Sequence, residues 1–298
     1  MDSSHDGLFF IVNRFSGKGV VPRLERGIAS ICGAQCVRHE IAYTAAPQHA
    51  TTLARDAIAQ GFRKIIAVGG DGTINEVARA VIHTPAALGI IPKGSGNGLA
   101  RHLGIPLKIE AALQCLFQSD TIAIDTFHIN GRLSLNVSGI GFDGFVAAKF
   151  AERKKRGLAG YVQLVIKGYR AFREFEVTID AEGPSVRRKA FVIAIANSSQ
   201  YGNNARIAPA ASLCDGRLNM VVLRKFPLYR LDLIPAFFRG GMGTSRWWES
   251  REIVNTELRL PAPVSYHVDG EAAGVADKFI IQLQPASLNV LVPRGMKC

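Results

Sequence analysis

Five consecutive apolar residues, Leu8-Phe9-Phe10-Ile11-Val12, stop at Asn13, as expected of a strand buried on both faces. A helical pattern follows from about Val21 to Cys32. Glu40–Tyr43 reads as a short strand, 46–60 as a helix and Lys64-Ile65-Ile66-Ala67-Val68 as a second continuous apolar strand. A helix over 73–82, a strand over 88–91 and a short helix near 98–103 complete this stretch. Thr73-Ile74-Asn75-Glu76 fits a capping box, which sets the expected helix start at Thr73. Strands alternating with helices predict an α/β domain with a parallel sheet.

After about Asp125 the pattern changes. Phe127–Leu133 has the form of a hairpin with an Asn130-Gly131 turn. Runs rich in Val, Ile and Phe follow at 175–180, 190–196, 218–223, 257–260, 264–268, 279–284 and 288–292, with one helical stretch over 143–173. This half is expected to be a mainly antiparallel β-sandwich or barrel. The expected domains are 1–125 and 126–285, with a strand at about 286–298 free to return to the first. A length of 298 residues also favours two domains.

Composition narrows the classes. Hydrophobic residues make up 48% and charged residues 20%, so the chain is globular and not disordered. A formal charge of +12 favours anionic partners: nucleotide phosphates, nucleic acid or an acidic membrane surface. No helix-turn-helix, zinc-finger or RNA-binding signature is visible, so nucleic acid is not the expected partner. No apolar run reaches the roughly 18–20 residues of a spanning helix, and Met1–Asp6 is polar and acidic, unlike a signal peptide. Cys32, Cys36, Cys115, Cys214 and Cys298 are scattered, and reduced thiols in a cytoplasmic protein are the simplest expectation. Cys32 and Cys36 lack a second pair to complete a zinc site.

The chemistry lies where strands end. Three of them run into glycine-rich loops: 13–19, 69–73 and 93–98. Strand C-termini of an open parallel sheet share one edge, so the loops should converge there. Gly69-Gly70-Asp71-Gly72-Thr73 joins glycines, which let backbone approach phosphate, to a carboxylate suited to a metal and to a helix start. Asn13-Arg14-Phe15-Ser16-Gly17 and Gly94-Ser95-Gly96-Asn97 offer hydroxyls, amides and further glycines. The first of these is not a Walker A loop, because the required spacing is absent.

Together these segments resemble the lipid kinase family of bacterial diacylglycerol kinases and sphingosine kinases, with NAD kinases as distant relatives. The matching residues also include Asn75-Glu76, Gly141-Phe142-Asp143, Asp215-Gly216 and Asp269-Gly270-Glu271, in family order over most of the chain. The resemblance implies an N-terminal nucleotide domain, a C-terminal β domain that takes the lipid, and an active site in the cleft between them. It implies ATP contacts from Asn13, Arg14, Phe15, Ser16, Gly17, Thr44, Gly69, Gly70, Asp71, Gly72, Thr73, Ile74, Asn75, Gly94, Ser95 and Asn97. Asp71 would organise Mg²⁺ and the γ-phosphate, and Glu271, with Asp269 beside it, would accept the proton of the lipid hydroxyl. A structural magnesium loop would use Asp215 with Ser212 and Arg217 carbonyls. From the residues alone, Thr44 equally suits a helix cap, and Asp215-Gly216 and Asp269-Gly270 suit plain turns. Arg14 stands where the family usually has proline. Gly98 stands where many bacterial members have aspartate, and the Gly94-Ser95-Gly96-Asn97 form resembles the sphingosine kinase-like branch more closely.

Arg153-Lys154-Lys155-Arg156 is a cationic run, and 226–248 interleaves Phe226, Tyr229, Trp247 and Trp248 with Arg230, Arg239 and Arg246. Both suit an anionic membrane surface; the first also suits a plain solvated surface, and the second a packed helix covering the β domain. The expected protein is a cytoplasmic, peripherally membrane-associated kinase that uses ATP and Mg²⁺ on diacylglycerol or a sphingoid base. A soluble-substrate kinase resembling NAD kinase and a non-catalytic nucleotide- or lipid-binding regulator are the alternatives. A homodimer is left open.

Overall fold

The apolar run at Leu8–Val12 forms β1, with all five residues buried. Its neighbours in a computed structural model are parallel strands: β2 (His39–Tyr43) on one side and β3 (Lys64–Gly69) on the other. The structure describes residues 7–17, 21–152, 158–181, 183–202, 205–230 and 245–296. β4 (Ala87–Pro92) continues the parallel sheet beyond β3. Helix α1 (Val21–Ala34) connects β1 to β2, α2 (His49–Ala59) connects β2 to β3, and α3 (Asp71–Val81) connects β3 to β4. Two shorter helices follow, α4 (Gly98–His102) and α5 (Ile109–Leu116). α1 packs with α5 and α2 with α3. Continuous burial of β3 and β4 follows from helices connecting parallel strands and covering them, which explains their unbroken apolar sequences.

Helix α3 starts two residues before the capping-box position. Gly70 is its N-cap, in extended conformation, and Asp71 lies in the first turn. The side chain of Thr73 accepts from Asn13 instead of capping the helix. Glu76 faces α2, where Oε2 accepts from Ala50 N and its carbonyl accepts from the Thr51 hydroxyl. The capping-box expectation is therefore corrected: a Cβ at Gly69 would lie 2.5 Å from Thr73 Cβ, so glycine is what allows the chain to turn this early.

The second half is antiparallel. β5 (Ser119–Ile129) and β6 (Arg132–Ser134) form the expected hairpin, with Asn130 and Gly131 both at positive φ, as a type I′ turn requires. β7 (Val137–Gly141) leads into two helices, α6 (Phe142–Ala151) and α7 (Leu158–Ala171), where a single helical stretch was expected. β8 (Phe175–Asp180), β9 (Val186–Ala190), β10 (Val192–Ala196), the short pair β11 (Gln200–Gly202) and β12 (Ala205–Arg206), and β13 (Leu218–Leu223) follow. Last come β14 (Trp248–Ile253), β15 (Asn255–Val268) and β16 (Glu271–Pro293). One layer runs β14-β13-β10-β7-β15; the other joins β9 and β8 to β15 and β16.

β15 contributes to both layers. Its Leu258 pairs with β8 and its Tyr266 with β7. The register shifts between Arg259 and Val264. Pro261 and Pro263 lie in that interval and have no N–H for the ladder. They are why the sequence pattern splits one strand into 257–260 and 264–268. The core between the layers includes Ile193, Met220, Leu258, Phe279 and Ile281. Ala194, Ala196 and Val221 pack on the opposite face of their sheet, so β10 and β13 are buried on both sides.

The chain divides into two compact units, Met1–Asp125 with Pro285–Cys298, and Thr126–Gln284. β16 passes from the second to the first, where Asn289 and Val290 pair in parallel with Ala87 and Leu88 of β4. The expected separate runs at 279–284 and 288–292 are thus one strand. Pro285 interrupts the pattern, and Ala286 adopts positive φ while its N–H donates to Asp125. Cys32, Cys36 and Cys115 are free thiols, whereas Cys214 is disulfide-bonded, a departure from the expectation of uniformly reduced cysteines.

Candidate active site

The three glycine-rich loops meet at the C-terminal edge of the parallel sheet. Asn13, at the end of β1, donates through Nδ2 to Thr73 Oγ1 at 3.0 Å and accepts the Phe15 N–H at Oδ1. Ser16 donates its hydroxyl to the Lys93 carbonyl at 3.3 Å. Gly17 has φ +64, and a Cβ there would lie 2.2 Å from that same carbonyl oxygen. Gly70 and Gly94 touch through their backbones, with a Cβ on Gly94 falling 2.6 Å from Gly70 Cα.

Asp71 locks the third loop to the second. Its Oδ2 accepts from Asn97 N at 2.9 Å and its Oδ1 from Gly98 N at 3.0 Å. Asn97, in the left-handed region, closes its own turn by accepting from Gly94 N and donating to Gly94 O. Ser95 is exposed at the tip of this loop and Gly72 is half-buried. Arg14 stacks over Tyr43 at 3.7 Å, and Phe15 is 83% exposed. Thr44 is buried and its N–H donates to Val12 O; the N-cap of α2 is Gln48, so Thr44 is not a helix cap.

Ile74 and Asn75 lie in helix α3, which begins at Asp71. Ile74 is buried in the core and its N–H is engaged by Gly70 O. Asn75 is buried and accepts from Arg79 through Oδ1.

In the second unit, Asp269-Gly270 forms the tight turn between β15 and β16, both residues at positive φ, and Glu271 is exposed just beyond it. The Asp269 carboxylate accepts from the Ser134 hydroxyl at 2.7 Å, Leu135 N at 2.9 Å and Asn136 N at 3.0 Å. From the other side, Gly270 N donates to His267 Nδ1 at 3.1 Å. An accepted bond at Nδ1 leaves the ring proton on Nε2, which faces Asp143 Oδ2 at 3.2 Å. Tyr201 donates its hydroxyl to the same oxygen at 2.8 Å. Behind Asp269, Asn136 donates to Gln200 O and accepts from the Ser198 hydroxyl, and Asn197 donates to Leu135 O.

The loop before β13 closes on itself. Ser212 Oγ accepts from Cys214 N, and Asp215 Oδ1 accepts from Arg217 N at 3.0 Å. The Arg217 guanidinium pairs with Glu252 at 3.4 Å.

Comparison with known proteins fixes the family. The diacylglycerol kinase catalytic domain matches residues 7–129. The YegS C-terminal NAD kinase beta sandwich-like domain matches residues 136–292. The chain belongs to the YegS-like lipid kinases. A probable lipid kinase YegS-like of Pseudomonas syringae pv. tomato is 31% identical over 250 residues, covering 82% of this chain and 80% of the relative. The counterpart in Cronobacter sakazakii is 28% identical over 299 residues, covering 96% of each. Among solved structures, a putative diacylglycerol kinase from Bacillus anthracis str. Sterne superposes with a TM-score of 0.80 at 20% identity, over all of both chains. A second from the same strain gives 0.75 at 21%, over 98% of this chain and 99% of that one.

Membership among the YegS-like lipid kinases implies use of ATP. For a metal, the 212–217 loop offers oxygen donors and one carboxylate, a set that suits a hard cation completed by water or phosphate. Among the described residues no group of three or more His, Cys, Asp or Glu side chains could hold an ion alone. Cys32 is fully buried, which pushes its thiol up to about 11, as befits a core residue and not a metal ligand.

Sequence reasoning did not single out Lys93 among the three loops of the first unit, nor, in the second, His267, the 134–136 segment and Asn197-Ser198 around the Asp269 turn. The available signal was polarity at the ends of buried strands: Pro92-Lys93 after β4 and Asn197-Ser198 after β10. The cationic run 153–156 and most of the 226–248 segment lie outside the described residues. The described flank of that segment is packed: Phe226 and Trp247 join Phe142 and Phe191 in one cluster.

Proposed function

We propose that this chain is an ATP- and Mg²⁺-dependent kinase that transfers the γ-phosphoryl group to a lipid hydroxyl, with diacylglycerol the first candidate and a sphingoid base the second. The observation that supports it best is the convergence of the three loops, through Asn13 on Thr73, Ser16 on Lys93 and Asp71 on the N–H groups of Asn97 and Gly98. Backbone held this close, with glycine where side chains would collide, suits a polyphosphate.

Phosphoryl transfer asks the protein chiefly for positioning and charge stabilisation. Asp71 holds the loop that cradles the phosphates and stands at the N-terminus of α3. Asp71 would help hold Mg²⁺ at the cradle and Asp215 would supply the carboxylate of the 212–217 loop, and the ion would supply charge neutralisation for the phosphates. Glu271 takes the proton from the attacking lipid hydroxyl, while Asp269 holds the turn in place.

The same reading makes the protein a peripheral visitor to anionic membranes. Arg187, Lys189, Arg224 and Arg246 are exposed around half-buried Trp247 and Trp248, a pairing suited to a charged interface. No helix among the described residues is long and apolar enough to cross a membrane.

Incubation with γ-labelled ATP and a fractionated lipid extract, with mass identification of the product, tests the assignment. A labelled lipid phosphate is expected. NADP formation from NAD without any lipid product would instead favour a soluble-substrate kinase.

A further inference from the structure

Lys93 follows the last residue of β4 and opens the third loop. Its backbone is shared by all three loops: the N–H donates to Gly69 O at 2.7 Å, and the carbonyl accepts from the Ser16 hydroxyl and lies under Gly17. The side-chain stem follows the same contact, since a Cβ on Gly17 would lie 3.2 Å from Lys93 Cγ. The residue is only 8% exposed, and its Nζ has no hydrogen-bond partner among the described residues.

A buried ammonium carries three donors and a full charge, and leaving both uncompensated is costly. Charged side chains in and beside the three loops have partners of their own. Asp71 accepts from Asn97 and Gly98, Arg14 lies over Tyr43, and Arg101 donates to Gly96 O. Burial holds the Lys93 ammonium below the ordinary lysine value, the direction that an uncompensated buried cation takes.

We infer that Lys93 is a phosphate-binding residue, whose ammonium pairs with a phosphate of the bound nucleotide at the meeting point of the three loops. This rests on the nucleotide reading above and adds a contact that motif matching does not assign. It also explains why a cation occupies this buried position with no hydrogen-bond partner for its ammonium among the described residues.

The test compares the unaltered protein with Lys93→Met by titration calorimetry and thermal melting, using the Mg²⁺ complex of a non-hydrolysable ATP analogue and, separately, adenosine. Lys93→Met should melt at or above the temperature of the unaltered protein, because an unpaired buried charge has been removed. Its affinity for the ATP analogue should fall about 10- to 100-fold, the worth of a hydrogen bond to a charged group. Affinity for adenosine, which has no phosphate, should not change. Lys93→Gln, polar but uncharged, should lose analogue affinity in the same way.

Equal binding of the analogue by the two proteins overturns the inference alone. A lower melting temperature of the ligand-free variant shows that the fold holds the ammonium and also overturns it. Failure of the unaltered protein to bind the analogue overturns the nucleotide reading and this inference with it.

Discussion

The Asp269 carboxylate takes three donors, from the Ser134 hydroxyl and the N–H groups of Leu135 and Asn136, while Glu271 is exposed two residues further on. Hydrogen bonds to a charged acceptor contribute about 1.5–3 kcal/mol each, so Asp269 anchors the turn and its removal leaves two N–H groups seeking partners. Asp269→Ala should therefore lower the unfolding free energy by roughly 3 kcal/mol or more. Glu271→Gln should leave stability within about 0.5 kcal/mol, as a surface change does, yet reduce turnover about 10²- to 10⁴-fold as a lost general base does. Denaturant unfolding and initial rates on the same preparations separate the two. Equal stability losses at both positions would contradict this division of labour. Read as a motif, Asp-Gly-Glu shows two adjacent carboxylates and a turn. The difference between them comes from residues 133–135 positions away in sequence, which no local pattern displays.

At the scale of elements, the parallel strands are the most legible part of the chain. Burial on both faces makes β1, β3 and β4 unbroken apolar runs, and the glycine loops after them follow directly. Prolines mislead in the other half: Pro261 and Pro263 in β15 and Pro285 in β16 interrupt strands that continue past them through a register shift or a bend. The link between α6 and β15 was not legible at all. Asp143 and His267 are 124 positions apart and meet only because β7 pairs with β15, opposite Gly139. A Cβ on Gly139 would lie 1.8 Å from Asp143 Oδ2 and 2.6 Å from His267 Nε2. Gly144 packs as tightly, its own Cβ falling 2.5 Å from Tyr266 Cα. Gly139→Ala should thus push the Asp143–His267 pair apart and cost about 1–3 kcal/mol, as overpacking does. It should also loosen the Gly270 turn, seen as faster amide exchange at Gly270. A variant with unchanged melting temperature and exchange would show that the pair tolerates the methyl.

For the whole molecule, the proposed docking on an anionic bilayer rests on the charge of +12 and on the exposed arginines and lysine around Trp247 and Trp248. Each basic side chain near such a surface contributes about 1 kcal/mol. Binding to phosphatidylglycerol vesicles should exceed binding to phosphatidylcholine vesicles in sedimentation. It should weaken as salt shortens the Debye length from about 10 Å at 0.1 M to about 3 Å at 1 M. Arg187→Glu with Lys189→Glu should weaken it further; binding indifferent to lipid charge and salt would remove the electrostatic account.

The family and both domain folds were accessible from motifs in order along the chain, but the acceptor lipid is not written in them. The most direct measurement is therefore transfer of the labelled γ-phosphoryl group from ATP to diacylglycerol and to sphingosine in mixed micelles, by the unaltered protein and by folded Glu271→Gln. The account predicts Mg²⁺-dependent labelling of at least one lipid by the first and a loss of at least about 10²-fold by the second. Absence of lipid labelling by the unaltered protein, or undiminished labelling by Glu271→Gln, would contradict it.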